Sequence, residues 1–170
     1  MAHFVRATQN LSAEVTLVAS EAAALAKIWD LLGDARQISG WGLARLTLKG
    51  LAEGLAARGI TLDPGDHRAR FSLTGVDAAL AATGSLLLTS GPGQPRSASL
   101  TAETHIALVQ RAQIVPNLEA WIAAQRATGL PLREAANVVI ISGPSRTADI
   151  AMELVLGAHG PAALSILVLP

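Results

Sequence analysis

Cysteine is missing from all 170 residues. Its absence excludes disulfides, thiolate nucleophiles and any iron–sulfur or zinc-thiolate site held by this chain, and it suits a reducing compartment. Aromatic residues are scarce at 3%, which speaks against a ligand cage built of rings. Charged residues make up 15% and cancel to a formal net charge of zero. Neither a global field nor a run of Lys or Arg would draw in nucleic acid or an acidic membrane. No apolar stretch approaches the roughly 20 residues needed to span a bilayer. The opening MAHFVRATQN lacks a basic region followed by an apolar core, so a soluble, cytoplasmic chain without a secretory signal is expected. His-x-His, His-Glu-x-x-His and carboxylate clusters are also absent, and with them the expectation of a tight metal site.

What is present is aliphatic. Hydrophobic residues reach 51%, mostly Ala, Leu, Val and Ile, a composition that favours helices packed closely on a parallel sheet. A chain of this size predicts one domain spanning residues 1–170. Strand and helix patterns alternate along it. Val15–Val18 reads as a strand, and Ser20 then caps a helix over Glu21–Leu32 that Gly33 ends. A weak strand near Arg36–Trp41 precedes a helix over about Leu46–Arg58, stopped by Gly59. Ile60–Leu62 is a short strand, followed by the turn Asp63-Pro64-Gly65-Asp66. Val76–Ala81 reads as a short helix between the turns Thr74-Gly75 and Thr83-Gly84. Ser85–Thr89 and Ile106–Val109 are strands, with a Gly- and Pro-rich loop between them. Val115–Thr128 predicts a helix with Pro116 in its first turn. Asn137–Ile141 predicts a central strand, Thr147–Leu156 a helix, and Leu164–Leu169 the last strand. This alternation indicates an α/β fold, a mainly parallel sheet flanked by helices.

The strongest local signal follows Ile141. Ser142-Gly143-Pro144-Ser145-Arg146-Thr147 joins a strand to an expected helix start, where free N–H groups and the helix dipole favour an anion. Ser145 and Thr147 add hydroxyls, Arg146 a fork for carboxylate or phosphate, and Asp149 a group to orient it. The plainer reading stays open: Ser145 caps the helix, Asp149 suits the dipole, and Arg146 is solvated. Of the four histidines, His3 is expected in a disordered terminus and His67 on a polar surface turn. His105 opens a strand and is expected to hydrogen-bond backbone. His159, beside Gly160-Pro161, is either an acid–base group or a tie between loop and core.

The stretch GPSRTADI followed by ELVLGAHGP resembles the C-terminal signature of LUD-domain proteins, especially those of the lactate-utilisation protein C type. TGVDAALAATGSLLLTSGPGQPRSASL, THIALV and QIVPNL extend the resemblance in order, from about Val15 to Leu169. It implies the fold shared with ribose-5-phosphate isomerase, glucosamine-6-phosphate deaminase and CoA transferases. Thr74-Gly75-Val76-Asp77 is similar to a loop that lies beside the substrate in those distant relatives. The resemblance thus marks Asp77 as a catalytic carboxylate, against the plain alternative of a helix-capping acid. Thr74 and Gly75 are expected ligand contacts in that loop; Thr83, Gly84 and Ser85 are either a turn only or a set of hydroxyl and N–H donors at the same rim, and Arg96 is either a second anion contact, which the resemblance favours, or a mobile surface charge. These join Gly143, Pro144, Ser145, Arg146, Thr147 and Asp149, with His159 as a second catalytic candidate. Two departures stand out. Ala82 and Ala151 occupy positions where the family often has acids, although Glu153 is near, and the N-terminal segment is short by comparison.

Three roles follow from the resemblance. One is a subunit for oxidising L-lactate to pyruvate, binding a small carboxylate or phosphate beside iron–sulfur sister proteins, with no cofactor of its own. Another is a stand-alone enzyme for a sugar phosphate or acyl-CoA. The last is a non-catalytic assembly or regulatory module, which the two alanines favour. Association of several copies is compatible with each.

Overall fold

The computed structural model describes residues 1–148 and 154–170. In chain order its elements are α1 (Ala2–Asn10), β1 (Glu14–Leu17), α2 (Glu21–Leu32), β2 (Gln37–Gly40), α3 (Leu51–Ala57), β3 (Thr61–Leu62), β4 (Phe71–Thr74) and β5 (Ala78–Leu80). They continue with β6 (Ser85–Ser90), β7 (Thr104–Gln110), β8 (Ile114–Val115), α4 (Leu118–Ala127), β9 (Asn137–Ile141), β10 (Arg146–Ala148), β11 (Leu154–Leu156) and β12 (Ala163–Leu169). The main sheet has the order β1-β12-β7-β4-β2-β3, and every neighbouring pair in it is parallel. Its middle strands, THIALVQ and ALSILVL, are aliphatic runs covered on both faces, as buried parallel strands require. The expected α/β class and mainly parallel sheet are therefore observed.

Local signals place α2 well. Ser20 Oγ accepts from Ala23 N at 3.1 Å, and Gly33, with φ +56°, closes the last turn by donating to Trp29 O at 3.0 Å. Ala24, Ile28 and Leu32 recur every fourth residue and are the buried face. The next helix is shorter than its pattern: Leu43–Arg45 is a single 3-10 turn, and α3 begins only at Leu51 after Gly50. The amino end is also ordered. Phe4 and Thr8, one helical turn apart in α1, are fully buried, so His3 lies on a docked helix rather than in a disordered terminus.

A second sheet, β8-β5-β6-β9, is mainly antiparallel. It corrects three expectations. Val76–Ala81 is not a helix: Ala78–Leu80 is a fully buried strand pairing with β6 on one side and β8 on the other. Tertiary pairing on both edges outweighs the helix propensity of its alanines. Val115 belongs to β8, so α4 starts later, with Asn117 Oδ1 capping Ala120 N at 2.9 Å and Pro116 outside the helix. Among the described residues Asn137–Ile141 is an edge strand, not a central one, and its side chains Val138 and Ile140 are 40% and 50% exposed.

The expected helix over Thr147–Leu156 is replaced, in its described residues, by a two-stranded antiparallel ribbon. Arg146 pairs with Leu156, Thr147 with Val155 and Ala148 with Leu154. Ser145 holds the ribbon's base, donating through its N–H to Pro161 O at 2.8 Å and accepting from Gly157 N at 3.0 Å. Asp149, Ala151 and Glu153 lie outside the described residues.

Candidate functional site

The carboxyl ends of parallel strands are where open α/β sheets receive ligands. Beyond β2 the chain runs through Trp41 and Gly42 into the turn carrying Arg45, and beyond β4 it runs through Gly75 and Val76 to Asp77. These loops meet. Gly75 packs on Trp41 and on the Arg45 carbonyl, and a Cβ there would lie 3.1 Å from the indole ring. Its missing side chain admits Trp41, not a ligand. Gln113, after β7, fastens the same place: its Nε2 donates to Val76 O at 2.5 Å while its Oε1 accepts from Gln110 N at 2.8 Å.

Asp77 is half-buried. Its Oδ2 accepts from Thr89 N at 2.5 Å and its own N–H donates to Leu87 O at 2.8 Å, so β6 sets its position. It lines a cavity of about 430 Å³ with Arg45, Thr89, Gln94, Trp121 and Glu134. Arg45 makes no ion pair among the described residues. The cavity is therefore lined by one arginine and two acids, the well-held Asp77 and Glu134, with Arg45 and Glu134 both exposed.

Thr74, three residues before Asp77, faces inward. Its Oγ1 meets Nε2 of His105 at 2.8 Å, and both residues are buried. The partner of His105 is thus a side-chain hydroxyl, where backbone was expected. Burial lowers the His105 pKa from 6.5 to about 4, so the ring is neutral. Ser39, Ser72 and His105 are lateral neighbours on β2, β4 and β7, and Ser39 Oγ, Ser72 Oγ and His105 Nδ1 are buried with no partner among the described residues.

The other expected contacts are not gathered here. Gly84, at φ +74°, presses on α1, where a Cβ would stand 2.4 Å from Thr8 N. Thr83 and Ser85 border a different cavity, with Ser142 and Ile140. Arg96 sits exposed in the 3-10 turn Arg96–Ser99, away from the lining of the Asp77 cavity. Gly143, at φ +89°, packs against Leu11 O, and Arg146 donates to that same carbonyl. Pro144 is half-buried, as are Ser145 and Thr147. Since Arg146–Ala148 is a strand, the helix-dipole argument for an anion at this turn has no basis in the described residues. His159 is exposed and lines a third cavity with Thr101 and Glu103; its N–H donates to Ser145 Oγ at 3.3 Å. Asp77 and His159 thus border separate cavities.

Arg45, Gln113 and Glu134 were not singled out from sequence. For Arg45 a signal existed, because it follows Gly40-Trp41-Gly42 at a strand's carboxyl end. Gln113 and Glu134 carry no local mark; folding alone brings Gln113 to Val76 and Glu134 to the cavity that Asp77 lines. No group of three or more His, Cys, Asp or Glu suited to a metal occurs among the described residues, nor is any described helix long and apolar enough to cross a membrane.

The LUD domain family matches residues 1–169. The chain belongs to that family. Among its relatives are an uncharacterised protein of Neisseria meningitidis, 38% identical over 96 residues, and proteins called Lactate utilization protein C from Geobacillus and Bacillus subtilis, 38% and 37% identical over 98 residues each. These alignments cover 55–56% of this chain and 40% of each relative, so the matched part is well under half of those proteins. The crystal structure of a DUF162 family protein from Deinococcus radiodurans has the same fold, with a TM-score of 0.71 at 24% identity, covering 99% of this chain and 95% of that one. The LUD domain described here thus carries its candidate site at the carboxyl ends of β2 and β4.

Proposed function

We propose that this LUD domain serves lactate utilisation in the manner of protein C and binds a small α-hydroxy or α-keto monocarboxylate in the Asp77 cavity. One observation carries the reading: a guanidinium without an ion-pair partner among the described residues and a carboxylate fixed by a backbone N–H line the same cavity. The guanidinium suits a ligand carboxylate, and the Asp77 carboxylate accepts the proton of an α-hydroxyl. The relatives named Lactate utilization protein C support the choice of lactate as the ligand. A phosphate dianion would face Asp77 and Glu134 with only Arg45 in compensation, which disfavours a sugar phosphate. Oxidation of a hydroxy acid releases two electrons. With no cysteine in this chain, iron–sulfur partner subunits are the proposed acceptors.

Calorimetric titration with L-lactate and with pyruvate tests the site. Wild-type protein is expected to bind both, Arg45→Ala to weaken both about tenfold, and Asp77→Asn to weaken lactate more than pyruvate. Absence of heat with either ligand, or unchanged affinity in Arg45→Ala, would refute the assignment. Tagged protein drawn from lactate-grown cells should retain iron and acid-labile sulfide; a pure, metal-free chain would remove the partner half of the proposal.

A further inference from the structure

The cavity beside Thr83 and Ser85 is separate from the Asp77 site and chemically unlike it. Its volume is about 580 Å³, and its walls are mostly apolar, from Leu11, Leu80, Leu118 and Ile140. Ile140 is half exposed on the outer face of the edge strand β9. A row of three hydroxyls runs along one wall. Thr83 Oγ1 donates to Ser85 Oγ at 2.9 Å and accepts from Ser85 N at 3.4 Å; Ser85 Oγ and Ser142 Oγ are 2.8 Å apart.

Burial favours one direction for this row. Ser85 is only 3% exposed, so its hydroxyl proton must find an acceptor inside the protein. Its oxygen already receives the Thr83 proton, and the neighbour within reach is Ser142 Oγ. In the arrangement in which Ser85 passes its proton to Ser142, the Ser142 proton points outward from an exposed residue. Donation along a chain of hydroxyls polarises the last O–H and makes it a better donor. Glu119 also lines the cavity and repels anions from it.

We propose that this cavity binds a neutral acyl group, a carbonyl oxygen carried on a short aliphatic chain, with Ser142 donating to the carbonyl and the Leu11, Leu80, Leu118 and Ile140 walls burying the chain. The site is independent of the Asp77 cavity. Carboxylates are selected against by Glu119, and alcohols lack the strong acceptor that the Ser142 proton needs.

NMR titration of the whole chain with isovaleramide, isovalerate and isoamyl alcohol tests this. Isovaleramide is expected to shift the amides of Thr83, Ser85, Leu118, Ile140 and Ser142, and to bind more tightly than the other two probes. Ser142→Ala should weaken it roughly fivefold, and Ser142→Thr should restore it. Ile140→Ala should weaken all three probes alike, while Arg45→Ala, in the other cavity, should leave every shift in place. The proposal is overturned if isovaleramide shifts none of these amides, if Ser142→Ala binds it as wild type does, or if isovalerate is the tightest probe.

Discussion

Acid should loosen this protein through His105, by an amount the structure sets. The ring is fully enclosed between strands, its Nε2 is hydrogen-bonded with the Thr74 hydroxyl, and burial depresses its pKa to about 4 from 6.5. The native state therefore holds the imidazole neutral, whereas the unfolded chain takes up a proton as pH falls below about 6.5. Between those two values the unfolded state binds more protons, so stability is complete above the unfolded pKa and is lost as pH falls toward the folded one. The difference of about 2.5 pH units corresponds to about 3 kcal/mol at full extent, and about 2.5 kcal/mol is already lost near pH 4.5. Carboxylates also titrate in this range, so the variant His105→Gln is needed. Glutamine keeps a polar atom for Thr74 without a proton to gain. Urea unfolding of both proteins at about pH 7.5 and about pH 4.5 gives the contrast. Wild type should lose about 2–3 kcal/mol more than the variant over that interval. Equal losses in the two proteins would show that His105 does not carry the acid response.

Two further predictions concern the amino-terminal helix. In Gly84→Ala, the added Cβ would meet Thr8 N, Ala7 C and Thr8 Cα at 2.4–2.6 Å, all of them backbone, at a φ of +74°. Left-handed strain and displacement of the buried Phe4 together cost about 4 kcal/mol, so the melting temperature should fall by roughly 8 °C or more; a fall under about 2 °C would show that α1 is not docked on Gly84. Arg146→Ala removes the donor to Leu11 O. It should cost about 1 kcal/mol, seen as a small drop in melting temperature, and leave lactate affinity unchanged; a large loss of binding would return the anion site to the Gly143–Thr147 turn.

How far the sequence could be read depended on where each element's partners lie. Ser20, Gly33 and the apolar repeat between them specify α2 because every group that shapes it sits within a few residues. The aliphatic runs of β7 and β12 announce buried parallel strands for the same reason. Family membership was also legible, since it rests on residues in order.

Only the tertiary structure decided the rest. Ala78–Leu80 is a strand because β6 and β8 supply its hydrogen bonds, and β9 is an edge because one of its sides has no paired strand among the described residues. The turn after Ile141 leads into a ribbon held by Pro161 and Gly157, so its amides answer to atoms that local pattern cannot see. Asp77 was marked by the resemblance, but Arg45 and Glu134 join its cavity across intervals of 32 and 57 residues, and Gln113 holds the neighbouring Val76 across 37. Local chemistry sets helix caps and strand character. Which side chains share a cavity is set by packing between distant segments, and that is where the candidate site was decided.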